Sequence, residues 1–278
     1  MQDGPAVPAP RARRSVETAK MARMTEDLFR RDAYLQQCDA TVTAMGEQGI
    51  VLDRTVFYPL GGGQAGDAGV LVLADGHELA IADTRKGKDP EGRPTDEICH
   101  VPAPGQESLF SQIKPGDAIA ARVDWERRHR LMRFHTTTHL LCHLVPQLVN
   151  GCSITPDYAR LDFNMTDPLD KDALTQGIAA LVAAAHPVEV GAITDEELDA
   201  NPALVKSMSV QPPRGTGRIR TILIGAATAD AGRVGNGVID FQPCGGTHVR
   251  NTSEIGAVVV TKIEKKSATT RRVVLGFA

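Results

Sequence analysis

The sequence predicts an α+β protein in two parts: a small N-terminal β-barrel, and then a domain in which a mostly antiparallel sheet packs against helices. Three observations lead to this prediction. Short runs rich in β-branched residues, separated by tight turns, fill residues 41–123. An apolar pattern near the helical period begins at Trp125. A second series of short strand-like runs occupies the C-terminal third.

The first part is predicted as strands joined by tight turns. The runs IVLDRTVFYPL and GVLVLADGHELAIAD alternate between apolar and polar residues, as half-buried strands do. Asp75-Gly76 lies between two apolar stretches and predicts a two-residue hairpin turn. Pro115-Gly116 precedes another strand-like run, DAIAARVDW. Several short strands in about 90 residues are typical of a small barrel or sandwich.

The second part begins near residue 125, where the pattern changes from strand to helix. The segment WERRHRLMRFHTTTHLLCHLV is predicted as one helix, which Pro146 interrupts. Asp167-Pro168 predicts the start of a second helix, with Asp167 as its N-cap. Five strand-like runs follow: VEVGAIT, IRTILIG, GVIDFQP, EIGAVVVTKIE and RRVVLGF. The predicted domains are therefore 24–125 and 126–278.

Composition limits the remaining possibilities. Hydrophobic residues make up 42% and charged residues 23%, so extensive disorder is not expected. Residues 1–23 are the exception: without periodicity, they are expected to be a disordered tail, or upstream sequence before a start at Met21 or Met24. The net charge of −3 and the 4% of aromatic residues mean that any nucleic-acid binding must use a local basic patch.

Cysteine usage and hydropathy indicate a compartment. Five cysteines at irregular spacing do not suggest a disulfide framework, and they favour a reducing, cytoplasmic location. The sequence contains no run of about 18 apolar residues that would span a membrane, and no hydrophobic signal core. We therefore expect no membrane association.

His135 and His139 lie four residues apart on the predicted helix, so both project from one face. Two imidazoles in this arrangement can reach one metal ion. Taken alone, the pair fits equally well two ordinary histidines on the surface or in the core that bind no metal. Cys142 shares the face, and His139–His143 repeats the spacing.

The segment Cys244-Gly-Gly-Thr-His248 is more specific. Two glycines allow a turn tight enough for a thiolate and an imidazole to converge on one ion. A tight turn holding an inert thiol is the alternative. Two histidines from a helix and this pair would give the nitrogen and sulfur ligands that zinc prefers. A closed structural site is also possible, but we favour a site that meets substrate.

The run Gly61-Gly62-Gly63-Gln64-Ala65-Gly66 has the form G-x-G-x-x-G. A dinucleotide site needs a helix next, whereas here a strand follows, so that interpretation fails. The sequence also lacks a G-K-[ST] phosphate loop. The run is either a flexible hairpin or a loop whose backbone approaches RNA or substrate, with Gln64 offering both a donor and an acceptor.

Two basic clusters are either solvated faces or phosphate-binding surfaces. Their members are Arg122, Arg127, Arg128, Arg130 and Arg133 beside the first helix, and Lys262, Lys265, Lys266, Arg271 and Arg272 near the C-terminus.

These motifs, in this order and at this separation, make the sequence resemble the AlaX family and the related editing domain of alanyl-tRNA synthetase. The resemblance runs from about Met24 to Gly276. It is carried by five ordered blocks: VLDRTVFYPLGGGQAGDAG, VDWERRHRLMRFHTTTHLL, GCSITPDYARLDF, DFQPCGGTHVRNTSEIG and KIEKKSATTRRV.

The resemblance implies a translation-factor-like barrel followed by an editing domain, with the glycine loop reaching towards the active site. It implies one Zn²⁺ and leaves Cys142 and His143 as structural residues. The length resembles the medium class of the family. The implied zinc ligands are His135, His139, Cys244 and His248.

The resemblance also implies a hydrolase that deacylates alanine tRNA mischarged with serine, with glycine as a second candidate and with water as the nucleophile. Because no ATP-binding motif is seen, aminoacylation is not expected. Candidates for the catalytic site are Gln64, Thr138 and Thr155, with Thr137 and Ser153 as further candidates for reading the serine hydroxyl. The candidates for tRNA contact are Gly61, Gly62, Gly63, Arg128, Arg133, Lys265, Lys266, Arg271 and Arg272.

The expected partner is tRNA, with no stable protein partner. Three alternatives remain open at this point. The chain could be a zinc-stabilised RNA-binding module without catalysis, a zinc esterase for another aminoacyl-tRNA, or a piece of a full synthetase.

Overall fold

The structure is a computed structural model that describes residues 24–215, 217–225 and 237–278. Strands outnumber helices in these ranges, and sheets of antiparallel strands pack against the helices, so the predicted α+β class is confirmed. The prediction for residues 1–23 lies outside the described residues. No helix in the described ranges is both long and apolar enough to cross a membrane.

Six strands of the first part form a closed ring. The ring encloses aliphatic side chains such as those of Val42, Ile50 and Leu79, because successive residues of a strand point to opposite faces. A close likeness to translation-factor barrels stays a prediction. Around the ring the strands are β2 (Gln37–Gly46), β3 (Gly49–Leu52), β7 (Pro94–Pro102), β6 (Glu78–Lys88), β5 (Gly69–Leu73) and β8 (Ala118–Val123).

Short elements cover this ring. The predicted turn at Asp75-Gly76 joins β5 to β6, but it has three residues, since Leu73 and His77 still pair through a 2.9 Å backbone hydrogen bond. The short helix α1 packs Phe29 against the ring's outer surface. The remaining short elements are β1 (Glu26–Asp27), α1 (Leu28–Arg31), β4 (Arg54–Thr55) and α2 (Glu107–Phe110).

The second part is organised around helix α3 (Trp125–Leu144). Asp124 caps its start by accepting a hydrogen bond from the Arg127 backbone N–H, and the helix ends just before Pro146, as predicted. A four-stranded sheet has the order β14 (Val258–Ser267), β15 (Thr270–Phe277), β10 (Ala159–Asn164) and β9 (Val149–Ile154). A three-stranded sheet has the order β11 (Val188–Ile193), β12 (Ile219–Gly225) and β13 (Val238–Pro243).

The second helix starts later than the sequence predicts. Helix α4 (Lys171–Ala183) is capped by Asp170, whose Oδ1 accepts hydrogen bonds from two backbone N–H groups. Asp167 is therefore not the cap. Helix α5 (Asp195–Ala200) begins with a capping box on Thr194. Two 3₁₀ turns, Pro202–Leu204 and Thr252–Ile255, complete the described elements.

Several contacts join the two parts of the chain, among them a backbone bridge and a buried ion pair. Gln64 pairs as a parallel bridge with Ile154 at the edge of β9, so the glycine loop extends the four-stranded sheet. Arg128 of α3 is fully buried (0% exposed) and forms an ion pair with the equally buried Asp67. Its other donors bond to the carbonyl oxygens of Ala33 and Val56, 3.0 and 2.6 Å away. Such a pair fixes the geometry between the two parts, because removing either partner leaves a buried charge.

Candidate metal centre

Helix α3 supplies the first half of the site. His135 and His139 lie one turn apart and are both buried, with their rings on the face that points to the β13 end. His143, the next residue at this spacing, is exposed. Cys142 is buried but belongs to the hydrophobic core.

The loop after β13 supplies the second half. Pro243 ends the strand, and Cys244 and His248 follow on a turn that folds back towards α3. Gly246 makes this approach possible. A Cβ at this position would overlap the ring of His135 and would lie 2.9 Å from Gln64 Oε1. The sequence therefore needs glycine here for close packing.

The four side chains converge through one atom each. The Cys244 Sγ atom lies 3.4 Å from His135 Nε2 and 3.3 Å from His248 Nε2. The ligand atoms of these three residues and His139 all lie within 4.8 Å of one another. A tetrahedral zinc site places neighbouring ligand atoms roughly 3.3 to 3.6 Å apart, as its bond lengths require. The donor set and its spacing therefore fit a single metal ion.

Hydrogen bonds orient all three imidazoles. His135 Nδ1 lies 2.7 Å from Gln64 Oε1, and His139 Nδ1 lies 2.7 Å from Asp240 Oδ2. His248 Nδ1 lies 3.2 Å from the Thr136 hydroxyl oxygen, whose own proton is donated to the Met132 carbonyl. Each Nδ1 therefore donates its proton, which leaves each Nε2 lone pair for a metal.

The electrostatics favour a thiolate at Cys244. Burial acts to raise the pKa of this thiol, but the imidazoles of His135 and His248, when they are protonated at both nitrogens, lower it well below its ordinary value through their charge and their hydrogen bonds. The thiolate is the form of cysteine that binds metal.

Gln64 belongs to the first part of the chain, yet it completes this centre. The turn before it places Gly62 and Gly63 at φ +56° and +85°, a conformation that suits glycine at both positions. Gln64 is fully buried, and its Nε2 donates to Thr247 Oγ1 while its Oε1 accepts from the Thr247 backbone N–H. Both polar atoms of its side chain are engaged in these bonds.

The hydroxyl candidates differ in their surroundings. Thr138 Oγ1 donates to the His135 carbonyl oxygen at 2.7 Å, within the helix that carries the ligands. Thr137 makes the equivalent local bond to Arg133. Thr155 lies in an exposed turn, where its hydroxyl donates to the Tyr158 carbonyl and accepts from two backbone N–H groups. None of the three threonine hydroxyls has all its capacity free. Ser153, the remaining candidate, lies half-buried on β9.

The basic candidates also separate by burial. The Arg128 guanidinium is used inside the protein, and Arg271 is buried with bonds to backbone carbonyls of the β14–β15 turn. Arg272 pairs with Asp162 at 2.7 Å but remains partly exposed. Arg133 donates to the Ile255 carbonyl oxygen. Lys265 and Lys266 are exposed.

Several residues of the site were missed by sequence reasoning. Asp240 on β13 precedes Gln242 by two positions and Cys244 by four. Because side chains alternate between the two faces of a strand, the sequence alone places these three residues on one face. This spacing could therefore have identified Asp240 from the sequence. Thr136 and Thr247 carry no comparable sequence signal, because threonines in helices and loops usually make local bonds.

Two family models match the chain. Residues 219–274 match the model described as the threonyl and alanyl tRNA synthetase second additional domain. Residues 16–127 match the model for class II (A) tRNA synthetases.

Individual relatives extend this likeness to most of the chain. The chain is 30% identical to the alanyl-tRNA editing protein AlaX-M of Saccharolobus solfataricus, over 90% of its own length and 98% of the relative. It is 31% identical to AlaX-M of Methanosarcina barkeri, with 90% and 97% covered. The alanine–tRNA ligase of a Saccharolobus islandicus strain is 30% identical over 87% of this chain but only 25% of the ligase. By its near full-length match to these editing proteins, the chain belongs to the AlaX family.

Proposed function

We propose that this protein edits alanine tRNA by hydrolysing the ester bond of a wrongly attached amino acid. The observation that carries the proposal is the convergence of His135, His139, Cys244 and His248 in a chain of this family. The relatives' name, alanyl-tRNA editing protein, supports the same activity. Since the proposed substrate arises in translation, we also propose a cytoplasmic location.

The four side chains would hold one Zn²⁺, which supplies a Lewis acid next to the ester. Gln64, Asp240 and Thr136 orient the imidazoles, so the ligand set is prepared before substrate arrives. Cys244 is committed to the metal and is not free to attack the ester. We therefore propose water as the nucleophile, which an already activated aminoacyl ester permits.

The proposed substrate is serine attached to alanine tRNA, with glycine as a second candidate. A synthetase pocket shaped for alanine excludes smaller glycine poorly and cannot strongly reject serine, which adds only a hydroxyl. A second site that hydrogen-bonds the hydroxyl discriminates better, because alanine would leave its polar partner unpaired.

Thr138 is the better of the two threonine candidates for reading the serine hydroxyl. Its hydroxyl donates one bond to His135 and keeps accepting capacity, on the helix that carries two ligands. The Thr155 hydroxyl already donates once and accepts twice. We propose that Thr138→Val raises the rate on correctly charged alanine tRNA relative to serine-charged tRNA.

The tRNA contacts are proposed at the accessible candidates. Contacts to phosphate supply most sequence-independent affinity, and they need exposed cations. We leave out Arg128 and Arg271, since their guanidinium groups are occupied inside the protein. The proposed surface combines Gly61, Gly62, Gly63, Arg133, Lys265, Lys266 and Arg272.

A deacylation assay tests the proposal. The purified protein is mixed with alanine tRNA carrying labelled serine, glycine or alanine, and His139→Ala is the matched inactive variant. Release of serine but not alanine by the wild type, lost in the folded variant, is the expected result. Binding of tRNA without hydrolysis would favour a zinc-stabilised binding module. Hydrolysis only of another aminoacyl-tRNA would reassign the substrate.

A further inference from the structure

Two arginines from distant parts of the sequence reach the loop that carries Cys244, and a lysine lies close to one of them. Arg220 of β12 donates from Nη1 to the Cys244 carbonyl oxygen at 2.6 Å. Arg30 of α1 places its Nη1 only 3.4 Å from where a Cβ on Gly245 would stand. Both guanidinium groups therefore reach the same short loop.

The third member is Lys86 of β6. It is paired in register with Ile98 of β7, so both side chains lie on one face. Ile98 packs there with Phe29, the neighbour of Arg30. Burial lowers the pKa of Lys86, and the positive charge of Arg30 lowers it further, as expected for two cations in proximity. We call these three residues the rim cluster: Arg30, Lys86 and Arg220.

The rim cluster holds three cations against two carboxylates, those of Asp27 and Asp96. The thiolate of Cys244 also faces Arg220, but it belongs to the metal centre, where a bound cation would offset its charge. Arg30 forms an ion pair with Asp27, and both side chains are more than a third exposed. Arg220 makes no ion pair within the described residues, and its buried Nε has no hydrogen-bond partner there. A buried donor without a partner is costly, so this arrangement favours an added anion.

The position of the rim cluster relates it to the metal centre. Cys244 is the only ligand residue that is not fully buried, and Gly245 next to it is exposed. Leu60 and Gly62 of the glycine loop are exposed as well. Through Tyr58, whose hydroxyl donates to the Gly61 carbonyl, this loop joins the patch formed with Phe29 and Ile98. The rim cluster therefore lies where the ligand set comes closest to the surface.

We propose that the rim cluster binds the backbone phosphates at the single-stranded 3′ end of the tRNA. The inference rests on the proposed function, and it adds an anchor next to the ester. The nucleotide that carries the ester has its own phosphodiester one sugar away. Guanidinium groups match phosphate oxygens geometrically, and two of them flank the same loop here. An anchor at this distance would hold the ester at the metal centre.

The test measures RNA binding by the full-length, zinc-loaded protein. The probe is an uncharged RNA hairpin with a single-stranded 3′ CCA end, followed by fluorescence anisotropy across a salt series. The variants are Arg30→Gln and Lys86→Gln. The matched control is Arg31→Gln, which removes the same charge from the next residue, whose side chain is 75% exposed and pairs with Glu26. Zinc content and thermal unfolding are measured for every variant.

Each rim variant should weaken binding about tenfold, which is the lower end of the effect of losing a hydrogen bond to a charged group. The slope of log affinity against log salt should fall by about 0.7 for one lost single-strand phosphate contact. Arg31→Gln should change neither quantity appreciably. In a second arm, uncharged methylphosphonates replace the last two linkages of the hairpin. The wild type should lose affinity for this RNA relative to the unmodified hairpin. The affinity of Arg30→Gln should fall by a smaller factor, because this variant already lacks one of the phosphate contacts.

Other outcomes overturn the inference in distinguishable ways. If both rim variants behave like Arg31→Gln while the wild type binds, the rim cluster is not an anchor and the proposed function stands. If Arg30→Gln loses its zinc, the side chain supports the Cys244 loop and not the RNA. If the wild type does not bind the hairpin at all, the inference falls, and the deacylation assay decides the proposed function separately.

Discussion

Replacing Asp240 with asparagine should weaken zinc binding without unfolding the protein. Asp240 is almost fully buried, and its Oδ2 accepts from His139 Nδ1 at 2.7 Å and from Gln242 Nε2 at 2.9 Å. Its Oδ1 accepts from the Lys206 ammonium. An asparagine keeps one acceptor oxygen, so its amide NH₂ must face either His139 and Gln242 or Lys206. In either orientation at least one of these donors loses its acceptor.

The expected magnitude follows from the role of the carboxylate. Burial acts to lower the pKa of His139, but Asp240 and Cys244 outweigh burial and raise it to about 9. A more basic imidazole is a stronger ligand, and loss of such an outer partner typically costs about 10- to 100-fold in metal affinity. That corresponds to about 1.4 to 2.8 kcal/mol.

The assay is competition for zinc against a chelating dye, with deacylation measured in parallel. Asp162→Asn is the matched control, because Asp162 is an ion-paired carboxylate on the other sheet, held by Arg160 and Arg272. The control should bind zinc like the wild type. Zinc affinity of Asp240→Asn within twofold of the wild type, with His139→Ala clearly impaired, would refute the reasoning.

Three further predictions follow. Gly246→Ala should abolish zinc binding in a metal assay, since its Cβ overlaps the first ligand histidine, whereas Gly245→Ala should retain it. Arg128→Met should cost about 3 to 5 kcal/mol of unfolding free energy in denaturant, because it strands the Asp67 carboxylate in the interior; a loss below about 1 kcal/mol would contradict this. Burial lowers the pKa of His100 from 6.5 to about 4, so the unfolded state takes up the proton first as pH falls. The contribution of His100 to stability should therefore be constant above pH 6.5 and decline by up to about 3 kcal/mol between pH 6.5 and 4, so that the decline is shallower in His100→Gln.

Local periodicity accounts for what could be predicted. The helical period sets His135 and His139 on one face, and the Gly-Gly turn sets Cys244 beside His248. Nothing local shows that these two pairs meet, since Cys244 and His135 are 109 positions apart. The order of the motifs, compared with a known family, supplied that step.

Tertiary packing accounts for what could not be predicted. Arg128 stands in an arginine-rich run and resembles a solvated cation, and only its partner 61 positions earlier explains its burial. The start of α4 shows that the local sequence also does not decide between two neighbouring N-cap candidates. Asp167 and Asp170 are both suitable caps, and the backbone N–H groups that reach a carboxylate belong to the turn after Asp170.

The outer hydrogen bonds of the histidines come from three separate units. Thr136 belongs to α3 itself, Asp240 to the three-stranded sheet, and Gln64 to a loop that leaves the closed ring. The affinity for metal therefore depends on how well the two parts of the chain are seated against each other. A fragment beginning at Trp125 lacks Gln64, so the His135 imidazole would have no hydrogen-bond partner to orient it when zinc binds. Adding the missing part of the chain in trans should tighten zinc binding. Zinc affinity would thus report whether the two parts of the chain are correctly assembled.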